Sequence, residues 1–283
     1  MFMRTSGLMA LLAASSMLAT PVQAAPFFVS TGNPDGLIGT LSRPGSLGHI
    51  ETESADDFII TANTRITHAT FIGLLPSGAP LSSIGQVVTE IYRVFPLDST
   101  IPPSGKVPTR TNSPSDVALT SRDSAGGTLS FIASLLNSSF TVANSVINGI
   151  NPKPGEFTGG EGAVTGEEVL FDVTLSVPLD LSPGHYFFVP QVGLAAGDFL
   201  WLSAPKPIVA PGTPFTPDLQ SWIRNENLAP DWLRIGTDIT HQGPFNAAFS
   251  LSGTIPEPAS LALLGVGIAG VAAGRRKWVR NGS

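Results

Sequence analysis

Residues 169–177, VLFDVTLSV, alternate without a break: Val169, Phe171, Val173, Leu175 and Val177 interleave with Leu170, Asp172, Thr174 and Ser176. A period of two sends the two sets to opposite faces of an extended chain, so the segment reads as a half-buried strand of an antiparallel sheet. Residues 86–95, QVVTEIYRVF, repeat the pattern. There Val88, Glu90, Tyr92 and Val94 face one way, and Val87, Thr89, Ile91, Arg93 and Phe95 the other. ADDFII (55–60), HATFIGLL (68–75), HYFFVPQV (185–192), DFLWLS (198–203), WLRIGTDI (232–239) and FNAAFSLSG (245–253) are further strand candidates. Turn residues punctuate them at Asn33-Pro34-Asp35-Gly36, Pro76-Ser77-Gly78, Pro183-Gly184 and Pro211-Gly212.

With 30 Gly, 25 Pro and only 13% charged residues, short strands and turns outweigh helices. The expected fold is all-β: an antiparallel β-sandwich, jelly-roll-like, followed by a C-terminal hydrophobic helix. Within the body one helix is expected, over residues 216–225, with Thr216 as N-cap and Pro217 at the first helical position. Residues 96–112 carry Pro102, Pro103, Gly105 and Pro108 and read as a long surface loop.

Cysteine is absent, which removes disulfides, thiolate metal sites and thiol nucleophiles from consideration. The net charge of -6 conceals an asymmetry, because Arg4, Arg275, Arg276, Lys277 and Arg280 lie in the end segments with Glu257 alone against them. Ten bases then face twenty acids in the body, which repels phosphate backbones and argues against nucleic-acid binding. His49, His68, His185 and His241 are dispersed, and neither a G-x-S-x-G elbow nor a phosphate-binding P-loop occurs.

Glu51, Glu53, Asp56 and Asp57 form the most acidic stretch and are the candidate Ca²⁺ ligands, alternate oxygens at a strand edge suiting a hard cation. A solvated edge, with Asp56 or Asp57 accepting backbone N–H bonds at a turn, is the plainer reading. Trp201, flanked by Phe199, Leu200 and Leu202, belongs in a core. Trp222, beside the Pro-rich residues 205–217, is the candidate exposed ring for stacking on a glycan.

The two ends read differently from the body. Residues 1–24 combine Arg4, an apolar stretch over 8–18, Pro21, and small residues at Val22 and Ala24, as a signal peptide does, with cleavage expected between Ala24 and Ala25. Residues 259–273 are apolar apart from Ser260, shorter than the ~20 residues of a full span, and run into Arg275, Arg276 and Lys277. Those cations would hold the tail at the cytoplasmic interface. Gly265, Gly267 and Gly270 spell G-x-G-x-x-G, but no βαβ unit and no downstream acid accompany them.

Pro256-Glu257-Pro258, then the Leu/Gly/Ala-rich apolar run, then Arg275-Arg276-Lys277, resembles the PEP-CTERM sorting signal. The resemblance implies recognition by an exosortase, a membrane cysteine protease of Gram-negative bacteria that make extracellular polysaccharide. It places Pro256, Glu257 and Pro258 in the recognition motif. ADDF and SPGHYFFV (182–189) also resemble pieces of the β-sandwich bodies that carry such tags. The expected organisation is a signal peptide over 1–24, a sandwich over 25–254 and a sorting signal over 255–283. The expected protein passes through the secretion machinery and pauses in the inner membrane before reaching the cell surface or the extracellular matrix. Its body would be non-enzymatic and cofactor-free, structural or glycan-binding. The alternative is a polysaccharide-acting enzyme with a carboxylate pair that the sequence does not single out.

Overall fold

A computed structural model describes residues 24–46, 48–148, 150, 158–208 and 217–256. The expected signal peptide up to residue 23, Thr216, the expected C-terminal hydrophobic helix, Glu257, Pro258 and the basic residues Arg275, Arg276 and Lys277 lie outside them. Among the described residues no helix is long and apolar enough to cross a membrane.

Among the described residues the first eight strands are β1 (Ala25–Ser30), β2 (Ile38–Leu41), β3 (Thr52–Ile60), β4 (Thr64–Pro76), β5 (Ile84–Arg93), β6 (Thr120–Asp123), β7 (Leu129–Val142) and β8 (Asn144–Val146). The remaining seven are β9 (Val164–Leu181), β10 (Gly184–Leu194), β11 (Leu200–Ala204), β12 (Trp222–Asn225), β13 (Leu233–Arg234), β14 (Asn246–Ala247) and β15 (Phe249–Ile255).

β9 carries the alternation that opened the sequence. Val169, Phe171, Val173 and Leu175 are buried, while Asp172, Thr174 and Ser176 are exposed. Val177 departs from the expected phase and is half exposed. The cause is a slip in the β4–β9 ladder, where Ile66 pairs with Leu179 but His68 with Thr174. Val177 lies in the stretch of β9 that this bulge leaves out of the β4 ladder, and beyond it Leu179 and Leu181 return to the buried face.

Two sheets result. One holds nine strands, with β1-β15-β4-β11-β2-β8 as its main path and β9 and β7 continuing from β4. The other runs β13-β12-β3-β10-β5-β6. Pairings are antiparallel except for β2 with β8. Nothing in that order marks out the jelly-roll connectivity expected from composition. The sheets meet on a shared core: Phe71, Phe171, Trp201 and Phe249 from the first, Phe58, Val87, Ile91 and Phe188 from the second. Phe71 stacks on Phe171 at 4.8 Å and meets Phe188 across the layer at 6.4 Å. Each such ring, fully buried, contributes roughly 2–3 kcal/mol.

Two assignments change. The helix expected over 216–225 is instead strand β12, whose Trp222, Ile223 and Arg224 are all buried. Burial on both faces erases any period, and Thr-Pro mimics a helix start. The strand expected over 232–239 shortens to β13 and then coils into a π-type turn, Ile235–Ile239. Gly236 makes that coil possible, since a Cβ there would meet the Gly243 carbonyl at 1.9 Å. The loop over 96–112 is largely exposed but is pinned by buried Val107 and Arg110.

Candidate functional site

The outward face of the six-stranded sheet is covered by loops, and polar side chains hold them there. From β12, Arg224 donates through Nε and Nη2 to Glu53 of β3, through Nη2 to Tyr92 Oη of β5 at 2.9 Å, and through Nη1 to the Asp116 carbonyl at 2.8 Å. Its guanidinium also lies over the Trp232 ring, 4.3 Å from the centroid. A second buried guanidinium, Arg110, reaches Asp231 and Asp116 at 2.8 Å each. These closed networks fix the loops that wall the neighbouring cleft.

Tyr92 Oη donates to Glu53 and lies 3.0 Å from Glu90 Oε2. One hydroxyl proton cannot serve both acceptors, so Glu90 has to bring its own. Burial, then the Glu53 charge beside it, push the Glu90 carboxyl up to about 8, in keeping with a protonated acid.

Beside this face opens a cleft of about 340 Å³, walled by the loop residues Thr109, Thr111 and Asn112, by Lys206, by Asp218 to Gln220, by Trp222 and by Arg234. Lys206 Nζ donates to the Asp218 and Leu219 carbonyls at 3.0 and 2.7 Å and lies 3.4 Å from Asp218 Oδ1. Arg234 is paired with Asp238, Nη2 to Oδ1 at 2.6 Å. Each wall cation therefore has its own acid, and the cleft is close to neutral. Two buried atoms here make no hydrogen bond: Trp222 Nε1, a donor, and Asp218 Oδ1, an acceptor held only by the longer lysine contact. An unsatisfied buried polar group costs about 1–3 kcal/mol, which a partner of the right polarity would recover.

The residues singled out from the sequence fall as follows. Trp222 is not an exposed platform; it is 1% exposed, and only its edge borders the cleft. The acidic stretch is not a solvated edge, because β3 lies between β12 and β10. Glu53, Asp56 and Asp57 are buried, each with a partner contributed from far along the chain. Asp56 accepts from Ser221 Oγ and from the Ala247 N–H, both at 2.9 Å, so the expected backbone bond exists, though within a strand rather than at a turn. Asp57 binds His185 Nε2 at 2.5 Å. Ser221 and His185 thus hold adjacent aspartates whose side chains leave β3 on opposite faces, and no serine–histidine relay forms.

Glu51 is half-buried and accepts from Gln191 at 3.0 Å; burial and then Glu53 raise its carboxyl. Among the described residues, no group of three or more His, Asp or Glu side chains is placed to hold a metal ion. His49 lies in a loop, and His68 contacts Thr174 on the nine-stranded sheet. Lys206 and Asp218 escaped notice in the sequence as single charges in turn-rich segments, Arg234 as a single charge within a strand candidate, and Arg224 stood inside the misread helix.

At the far end of the nine-stranded sheet the chain's two junctions lie side by side. Ala25 pairs with Ile255 and Pro26 with Thr254. Ala24, Ala25 and Pro256 are exposed. Residues 254–277 match the PEP-CTERM protein-sorting motif. The class is therefore that of an exported protein handled by an exosortase. More particularly, it is a PEP-CTERM motif-bearing protein whose body is built of two β-sheets. No curated protein and no solved structure matches the chain.

Proposed function

We propose that this protein is delivered, by way of a transient stay in the inner membrane, to the cell surface or extracellular matrix, where its body binds glycan without acting on it. The observation that carries the binding reading is the neutral cleft lined by Trp222 and Asp218, whose Nε1 and Oδ1 make no hydrogen bond, the oxygen having only the 3.4 Å contact with Lys206. A sugar hydroxyl both accepts and donates, the two polarities that these groups lack. The paired charges of the walls favour a neutral sugar over an anionic one. A volume near the lower end of ordinary ligand sites suits one or two sugar residues of a longer polymer.

The non-enzymatic reading draws support from the carboxylates. Glu53 and Glu90, which share Tyr92, are the pair with contrasting environments that a hydrolase would need. Yet Glu53 is 3% exposed and held by Arg224, so its oxygens are already engaged.

Trp222→Phe keeps an aromatic ring in the core and deletes the N–H. Affinity for the polysaccharide of the producing cells should weaken by about tenfold, the worth of roughly one hydrogen bond. Circular dichroism should be unchanged. Equal affinity of variant and parent would reject the cleft as the binding site.

A further inference from the structure

We propose that the free edge of β7 joins two copies of this chain, strand against strand. β7 is 14 residues long and, among the described residues, pairs with β9 alone, so one side of its backbone offers a row of unpaired N–H and C=O groups. Protein edges of this kind are ordinarily guarded by charge, proline or brevity. β7 reads LSFIASLLNSSFTV, without a charged residue or a proline, and Ile132, Leu135 and Leu136 are 69%, 48% and 50% exposed. The opposite rim shows the contrast: β1 has six residues and carries Pro26.

The occupant follows from the chemistry. A row of alternating donors and acceptors selects an extended peptide over a lipid or a sugar. The body holds ten bases against twenty acids, so two copies repel each other over most of their surface and least where no charge is present. A second β7 is such an uncharged extended strand. Antiparallel pairing about a two-fold axis sets the strip against itself and closes at a dimer. Residues 129–135 are the regular part of β7, since its ladder with β9 slips after Leu135. Along them Phe131 and Ala133 pack on the core, which leaves Ile132 and Ser134 facing outward.

Sedimentation velocity on the processed protein should show a monomer–dimer equilibrium that shifts with concentration. Ile132→Lys with Ser134→Lys brings like charges together across the two-fold and should raise the dimer dissociation constant by at least about tenfold, whereas Ile132→Thr, uncharged and β-forming, should keep the dimer. Hydrogen exchange on the unaltered protein gives a test that no substitution can confound, because amides of residues 129–135 should gain protection as concentration rises. A protein that stays monomeric throughout, or a dimer indifferent to both lysines with unchanged exchange in β7, would overturn the proposal.

Discussion

Tyr92 has one hydroxyl proton and two carboxyl groups within reach, and that shortage sets the behaviour of Glu90. Its carboxyl rises from 4.5 to about 8, chiefly through burial and secondly through the Glu53 charge. Asp56 is raised as well, by burial first and Asp57 second. A carboxyl whose folded value lies above its unfolded one stabilises the fold fully below the unfolded value and loses that contribution as pH rises through the folded value. The melting temperature should therefore fall as pH rises from about 4.5 through about 8. Glu90→Gln, which keeps a donor toward Tyr92, should flatten that slope; each pKa unit involved is worth about 1.4 kcal/mol. An identical slope in the variant would refute the assignment. None of this was legible in the residues themselves. Glu53 and Asp56 read as solvent-facing because their partners, Arg224 and Ser221, stand 171 and 165 positions away.

At the scale of elements, a strand was legible either through one-sided burial or as an apolar run bounded by turn residues, as β10 and β11 are although both of their faces are covered. β9 announced itself because one face meets the core and the other meets water. β12 met neither condition, since both of its faces are covered and its residues are not an apolar run. β7 was overlooked for the opposite reason: most of both faces is exposed, and serines dilute the alternation. β15 bears most directly on processing. It stays paired up to Ile255, so the matched motif begins inside a strand held against β1. A protease takes extended, accessible chain, and Thr254 and Ile255 are committed to a ladder. A short Gly/Ser insertion between Ile255 and Pro256 should speed conversion of precursor to processed protein in a pulse-chase measurement. An unchanged or slower rate would show that strand pairing does not limit access.

At the scale of the whole molecule, two kinds of information are separable. The address is local, carried by residues whose order alone suffices, and it was readable without any fold. The body's chemistry is non-local: the cleft draws on residues from 109 to 244, and its neutrality appears only once Lys206 meets Asp218 and Arg234 meets Asp238. The proposed delivery of this body depends on removable tags at both ends. Intact-mass spectrometry of the protein recovered outside the producing cell tests it most directly. The expected mass is that of a chain beginning at Ala25 and ending near Pro256-Glu257-Pro258, without Arg275, Arg276 and Lys277, whereas the variant with all three motif residues changed to alanine should stay in the membrane fraction with its C-terminal tail uncut. Released protein that still carries the basic tail, or normal release of the triple variant, would contradict it.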